Sequence, residues 1–362
     1  MTQLRTVQVL GGGSAGSSAH VRSLAAGLVA RGVQVTVCAP AHLECDYGYL
    51  GVGARFVPVP WRSAPATIGA LRAVCAGADV VHAHGLHPAV RTALALGGRH
   101  VPLVVTWHTR SHAAGARGQL LRMLERRTAR SAAVVLGTSS ELVDRARRRG
   151  ARDARLAPVS LPPRRRSPHE NKTRVELGAV DRPLLVAVGR LEPDRGYGTL
   201  LDAAHEWLAV DPVPLVVIAG EGQERARLQR RIDTEGLPVR LVGRRDDVGD
   251  VLAAADLALL PSRWEARSLL AQEALGLGVP LVATRVGGVP ELVGDAAELV
   301  PYGEPEALAA AVTRLLAEPE RRARLAAAGI AQAATWPTED ETVAQVLSIY
   351  DEFTQPIRPR TS

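Results

Sequence analysis

Short runs of Val, Leu and Ala alternate along the chain with longer segments in which Ala, Leu and Arg recur at helical spacing. Runs that predict strands are Val7–Leu10, Val33–Cys38, Val80–Ala83, Leu103–Trp107 and Ala132–Leu136. The series breaks and then restarts with Leu184–Val188, Leu215–Ala219, Arg240–Val242, Leu257–Leu260 and Leu281–Ala283. Runs such as Leu184–Val188 and Leu215–Ala219 are continuously apolar instead of alternating, as in strands of a parallel sheet that is covered by helices on both faces. Two such series predict an α/β protein of two doubly wound, Rossmann-like domains.

Between the series lies Leu161-Pro162-Pro163-Arg164-Arg165-Arg166-Ser167-Pro168-His169, which can continue neither a helix nor a central strand. The expected organisation is therefore an N-terminal domain (1–160), a linker (161–169), a C-terminal domain (170–335) and a last helical segment (336–362). That segment, Thr335–Phe353, reads as an amphipathic helix started by Pro337, with acids in its first turn. Arg145, Arg147, Arg148 and Arg149 sit at the end of a predicted helix and read as solvated cations favoured by its dipole.

The length of 362 residues suits two domains, at about 150 residues for each. No apolar run approaches the roughly 18 residues of a membrane-spanning helix, and the first residues lack a secretory pattern. A cytoplasmic protein is expected, and Cys38, Cys45 and Cys75 form neither a CxxC pair nor an even disulfide framework. Lys172 is the one lysine, so 43 of the 44 basic residues are arginine, and the net charge is +7. This balance favours phosphates or an anionic membrane surface. Aromatics at 3% are too few for base-stacking platforms, and no nucleic-acid partner is expected.

Gly11-Gly12-Gly13-Ser14-Ala15-Gly16 follows a predicted strand and opens a helix, with Gly11, Gly13 and Gly16 matching G-x-G-x-x-G. Such a loop brings backbone N–H groups to a phosphate. A dinucleotide would also need an acid at the end of the second strand. Here that strand ends in Ala39-Pro40, with Glu44 beyond the proline, which argues against a nicotinamide or flavin dinucleotide.

The densest signal is Pro261-Ser262-Arg263-Trp264-Glu265-Ala266-Arg267-Ser268-Leu269-Leu270-Ala271-Gln272-Glu273. A loop carboxylate, Glu265, precedes a helix that carries a second, Glu273, and the helix N-terminus between them suits an anion. Gly189-Arg190 and Arg195 follow the first strand of the same domain, and Gly220-Glu221-Gly222 follows the next. Ligands of open parallel sheets bind at this carboxyl edge, where Arg190 and Arg195 could clamp a diphosphate by forked hydrogen bonds.

This set resembles the retaining GT-B glycosyltransferases of family 4, whose signature includes an E-x7-E pair, a G-R…K-G phosphate clamp and a G-E-G turn. Val279–Val293 is similar to the family's segment after that helix. Gly16, His20-Val21, Val80-Val81-His82-Ala83-His84 and Val104-Val105-Thr106-Trp107-His108 match its N-terminal half. The resemblance spans essentially the whole chain and implies a GT-B fold. In that fold two Rossmann-like domains face a deep cleft and the last helix crosses back to the first domain.

The resemblance implies a nucleotide-diphosphate sugar as co-substrate, with no cofactor. Donor-binding residues would be Gly16, Gly189, Arg190, Arg195, Gly220, Gly222, Glu265, Ala266, Arg267, Ser268, Leu269 and Glu273. Arg190 and Arg195 would neutralise the diphosphate, Glu265 would hold sugar hydroxyls, Glu273 the ribose, and the Gly16 N–H the distal phosphate. His108 would reach the donor sugar near the reacting centre, and with Glu265, Arg190 and Arg195 it makes up the expected catalytic set. Acceptor-side candidates are His20, His84, His108 and Arg110. Transfer would proceed with retention, the leaving phosphate accepting the acceptor's proton, as the domains close and exclude water. The chain contains no D-x-D, so no metal is expected.

Five residues at three places depart from the family pattern. Arg195 replaces the usual lysine, Ala266-Arg267 replaces a frequent glycine and aromatic, and Thr109-Arg110 follows His108 in place of a small or acidic residue. The expected acceptor is lipid-linked, a polysaccharide or a small molecule. Arg110, Arg117, Arg122, Arg126 and Arg127 would allow peripheral contact with the inner membrane face. The competing readings are a sugar-nucleotide 2-epimerase of the same fold and a non-catalytic nucleotide-sugar-binding protein.

Overall fold

A computed structural model describes residues 3–12, 15–110, 113–160 and 170–354. Its contacts divide the chain into two units, residues 1–160 with 337–362 and residues 161–336. The expected linker 161–169 and Gly13-Ser14 of the glycine loop lie outside the described residues.

The first unit is built on a seven-stranded parallel sheet of order β3-β2-β1-β4-β5-β6-β7. Its strands are β1 (Arg5–Val9), β2 (Gln34–Ala39), β3 (Arg55–Pro58), β4 (Val80–His84), β5 (Leu103–Trp107), β6 (Val134–Gly137) and β7 (Ala154–Leu156). Every residue of β4, β5 and β6 is buried, as in central strands covered on both faces, and His82, His84 and Thr106 are buried polar groups among them. The strand order reverses beside β1, which pairs with both β2 and β4. Ligand crevices of open sheets open at such a switch point, beyond the carboxyl ends of the strands. Gly11 follows β1 there, His84 ends β4 and His108 follows β5.

The second unit holds a six-stranded parallel sheet of order β10-β9-β8-β11-β12-β13. Its strands are β8 (Leu184–Val188), β9 (Leu215–Ala219), β10 (Val239–Gly243), β11 (Leu257–Leu260), β12 (Leu281–Thr284) and β13 (Glu298–Val300). Its switch point lies between β8 and β11, so that Gly189-Arg190 and Pro261–Glu265 leave the sheet side by side. Both faces of the sheet are packed by apolar clusters, one including Leu184, Val186 and Leu275 and the other Leu185, Ile218 and Val312.

The last helix, Glu339–Thr354, belongs to the first unit. Pro337 does not start it. Thr338 caps the helix instead: its hydroxyl accepts from the Glu341 N–H at 3.1 Å, and its own N–H donates back to the Glu341 carboxylate at 2.8 Å. Val343, Val346, Ile349 and Tyr350 are buried in one cluster with Leu24 and Leu28 of the helix Ala15–Ala30. At Gly27 the two helices come so close that an added Cβ would lie 2.5 Å from a Val343 methyl. Arg155 pairs with Glu352 and Arg31 with Asp340 around this contact.

The arginines at the end of the helix Ser140–Arg148 are not simply solvated. Arg145 and Arg149 both grip the buried carboxylate of Glu125, at 2.7 and 2.8 Å, and Arg147 pairs with Asp144. A lone carboxylate at that depth would be costly, and two guanidinium groups offset its desolvation.

Gly27→Val is expected to overpack the seam between the first and last helices. The cost should be about 1–3 kcal/mol, read as a lower urea midpoint of the full chain. An unchanged midpoint would mean that Val343 moves aside without strain.

Candidate active site

In the second unit, the loops beyond β8, β9, β11 and β12 stack backbone upon backbone. A Cβ on Gly220 (φ +150°) would lie 1.9 Å from the Gly189 carbonyl oxygen, and one on Gly222 would lie 2.4 Å from that of Leu191. The Leu191 N–H donates to the Glu221 carbonyl at 2.9 Å, and the Glu224 N–H donates to the Leu191 carbonyl at 2.9 Å. The G-E-G turn is thus required by close packing against the G-R loop, whatever it also does for a ligand.

This packing places Arg195 beside Glu265, and the two form an ion pair. Ser262 donates its hydroxyl to the same carboxylate at 2.9 Å. The backbone carbonyl of Glu265 accepts from the Gly288 N–H at 2.9 Å. Gly287, at φ +54°, passes so close that a Cβ there would sit 2.1 Å from that carbonyl oxygen. Thr284 fixes the loop from below by donating to the Ser262 carbonyl at 2.6 Å. Burial raises the Glu265 carboxyl above its ordinary range, and Arg195 and Ser262 act against that rise. Arg190 is exposed and has no ion-pair partner among the described residues.

The helix Leu269–Gly276 begins beyond this pair, capped by the Ser268 hydroxyl, which accepts from the Ala271 N–H. Its first intrahelical bond runs from the Gln272 N–H to the Ser268 carbonyl, so the Leu269 and Leu270 N–H groups have no intrahelical acceptor. Glu273 follows one turn in and is half-buried. Ala266 is buried. The Arg267 guanidinium lies 5.5 Å from the Trp336 ring, and burial pushes its pKa down to about 10 against the pull of Glu291.

In the first unit, four imidazoles cluster at the switch point. His82 and His84 stack at 4.2 Å, His108 stacks on His84 at 5.7 Å, and His20 meets His84 and His108 edge-on at 5.9 and 5.7 Å. Burial lowers all four, His20 to about 4 and His108 to about 3, with neighbouring rings adding to the effect at His82, His84 and His108. Among the described residues no group of His, Cys, Asp and Glu is disposed to hold a metal ion.

Gly16 stands in the first turn of the helix Ala15–Ala30. Arg110, expected on the acceptor side, is held by Glu141 at 2.5 Å. Glu44 accepts from the Tyr49 and Leu50 N–H groups, both at 3.1 Å, and so serves a local turn.

Comparisons with known proteins bear on both units. A sequence profile of the family described as "Glycosyl transferases group 1" matches residues 169–332, and one described as "Glycosyl transferase 4-like domain" matches residues 15–162. The chain belongs to the group 1 glycosyltransferases.

An α-D-kanosaminyltransferase of Streptomyces kanamyceticus is 31% identical over 221 residues, 57% of each chain. A GDP-mannose-dependent α-(1-6)-phosphatidylinositol dimannoside mannosyltransferase of Mycobacterium tuberculosis is 36% identical over 156 residues, 42% of this chain and 40% of that one. The chain thus matches roughly half the length of these curated relatives. The GT-B fold is shared with Anabaena HepE, solved with UDP and glucose. Its TM-score is 0.87 at 20% identity, covering 97% of this chain and all of that one.

Four residues around the candidate sites escaped sequence reasoning: Ser262 and Thr284, which hold the Glu265 loop, and Gln8 and Tyr350, which bond to the histidines. Ser262 stood three residues before Glu265. Gln8 was visible as an amide between Val7 and Val9 of a predicted strand, whereas Tyr350 carried no local signal.

The histidines predict an acid-sensitive first unit. Their pKa values are lower in the folded state, so the unfolded chain binds protons first. Stability is then full above about pH 6.5 and falls as the pH drops towards 4. Between pH 7 and pH 5, His20 and His108 should each account for a loss of about 2 kcal/mol. Urea unfolding of the full chain at both pH values tests this, and His108→Gln should remove its share. Equal midpoints at pH 5 and pH 7 would contradict the buried neutral state.

Proposed function

We propose that this protein is a retaining glycosyltransferase that moves a sugar from a nucleotide-diphosphate sugar to a lipid-linked acceptor at an anionic membrane surface. The observation that carries the donor half of this reading is the locked Arg195–Glu265–Ser262 group at the carboxyl edge of the sheet, with the exposed Arg190 following β8 and the open N-terminus of the helix Leu269–Gly276 following the Glu265 loop. An anion meets Arg190 and the Leu269 and Leu270 N–H groups there, while Glu265 and Glu273 remain as acceptors for hydroxyl groups. Names of similar proteins support the donor class. The mycobacterial relative is GDP-mannose-dependent, and HepE was solved with UDP-glucose.

The chemistry proposed is cleavage of the bond between the anomeric carbon and the diphosphate oxygen, with the acceptor oxygen bonding to the same face. The acceptor's proton passes to the departing phosphate. Charge grows on the diphosphate as this bond breaks, and Arg190 with the helix N-terminus stabilises it at that point. Arg195 adds less than a free cation would, since it already neutralises Glu265. We infer that no resident metal is needed, the cationic side chains supplying the electrostatic stabilisation. An epimerase or a silent binding protein would bind the same nucleotides but transfer no sugar.

The acceptor half rests on the helix Gly115–Ser131. Leu120 and Met123 are 51% and 58% exposed on its outer face, and Arg117, Arg122, Arg126, Arg127 and Arg130 surround them, all exposed. An apolar pair ringed by cations suits a surface of anionic lipids. The mycobacterial relative carries a phosphatidylinositol acceptor in its name.

Calorimetry with UDP, GDP, ADP and TDP in EDTA is expected to show one diphosphate binding. Arg190→Ala should weaken it about 10–100-fold, the worth of a hydrogen bond to a charged group. No binding by any of the four, or equal binding to the variant, would sink the donor assignment. Vesicles of anionic lipid should sediment the protein, and Leu120→Ser with Met123→Ser should release it. Equal retention by neutral vesicles would remove the membrane reading.

A further inference from the structure

The four clustered histidines are joined to the last helix by one continuous chain of hydrogen bonds. His108 Nε2 lies 3.5 Å from His84 Nδ1, and His84 Nε2 lies 3.0 Å from the side-chain oxygen of Gln8. The Gln8 amide nitrogen donates to the Tyr350 hydroxyl at 3.0 Å. That hydroxyl is 2.6 Å from His82 Nδ1, and His82 Nε2 is 2.6 Å from the Thr106 hydroxyl. Gln8, His82, His84, Thr106 and Tyr350 are all buried, so water offers them no alternative partner.

Gln8 gives the chain its direction. An amide oxygen only accepts, so His84 must carry its proton on Nε2 and keep a lone pair on Nδ1. That lone pair can take only an N–H from His108, whose own proton must therefore sit on Nε2. On the other side, the Tyr350 oxygen accepts from Gln8, and its single proton turns to His82 Nδ1. His82 then holds its proton on Nε2 and donates it to Thr106. Moving the proton of His84 or His108 to Nδ1 would set one lone pair against another inside the fold, and turning the Tyr350 proton towards the Gln8 amide nitrogen would set donor against donor.

We propose that Gln8 and Tyr350 are positioning residues that fix His108 as a neutral imidazole with its proton on Nε2. Its Nδ1 lone pair is thereby kept as an acceptor for a substrate hydroxyl. The role of that hydroxyl rests on the glycosyltransferase reading above; the tautomer does not. A neutral acceptor is what a sugar with oxocarbenium-like charge requires, since an imidazolium would repel it. The returning helix thus carries a polar group for the site as well as an apolar face for packing. His20 lies edge-on to His84 and His108 and adds no link to the chain.

The test uses the full-length chain labelled with 15N-histidine, with His108→Asn identifying the His108 signals. Long-range proton–nitrogen spectra at pH 7 should show His82, His84 and His108 all neutral and protonated on Nε2. Tyr350→Phe keeps the ring in the core but unpins the Gln8 amide, and Gln8→Met breaks the chain if the first variant fails to fold. Either should mix the tautomers of His84 and His108. Turnover per folded molecule should fall about tenfold with the donor KM unchanged, one hydrogen bond's worth. A purely structural role would lower the melting point and leave the tautomer and turnover as they were.

His108 protonated on Nδ1 in the wild type overturns the proposal, as do two folded variants that keep its wild-type tautomer. Shifted tautomers with unchanged turnover overturn the positioning role. Absence of transfer by the wild type, with the tautomers as expected, counts against the glycosyltransferase reading and upholds the chain.

Discussion

The carboxyl edge of the second sheet is organised by backbone approaching backbone at distances that no side chain allows. Gly220 against Gly189, Gly222 against Leu191, Gly196 against Pro261 and Gly287 against Glu265 each leave about 2 Å for an added Cβ. With four loops held this close, the Arg195 and Glu265 side chains meet, although 70 residues separate them. The ion pair follows from the stacking of the loops and is not what draws them together. Its partial desolvation depends on the same packing, as does the raised carboxyl of Glu265. Gly189, Gly220 and Gly222, which a sequence reading assigns to donor binding, therefore have a prior task, which is to let the charged groups converge.

The two switch points share a topology and differ in chemistry. In both units a sheet changes direction beside its first strand, and chemistry-bearing residues gather at the carboxyl ends of the two strands that flank the change. The second unit collects arginines, carboxylates and an open helix end, all suited to a charged ligand. The first collects four imidazoles, an amide and a phenol, which burial keeps uncharged. The transfer proposed above would make these opposite demands, with a charged leaving group and a positively charged sugar.

Ten strands were legible, nine of them central strands whose runs are dominated by apolar residues, and the tenth the edge strand β10. The three that were missed, β3, β7 and β13, all lie at sheet edges and are short and partly exposed, so their sequences carry no such run. Glu265, Glu273, Arg190 and Arg195 were legible because their spacing from strand ends is local. The pairing of Arg195 with Glu265 was not, nor was the capture of Arg145 and Arg149 by Glu125, since each joins elements that are distant in sequence. Pro337 was misread for a local reason: Thr338, with Glu341 three residues on, is the stronger start signal, and a proline one position earlier is compatible with it.

Tyr350 marks the limit of local reading most clearly. It is 342 residues from Gln8 and 268 from His82, yet it bonds to both. On its own helix it occupies one more position of the apolar stripe that buries Val343, Val346 and Ile349, and a phenylalanine would pack there as well. What distinguishes the two is one hydroxyl, placed where Gln8 must donate and His82 must accept. A buried phenol with both of its hydrogen-bonding roles filled is a costly way to occupy a core position unless its direction matters. Burial forces every partner in the chain to be satisfied, and satisfaction transmits a single orientation from the last helix to the edge of β5. The same constraint that hides Tyr350 from a sequence reading gives its hydroxyl control over a ring it does not touch.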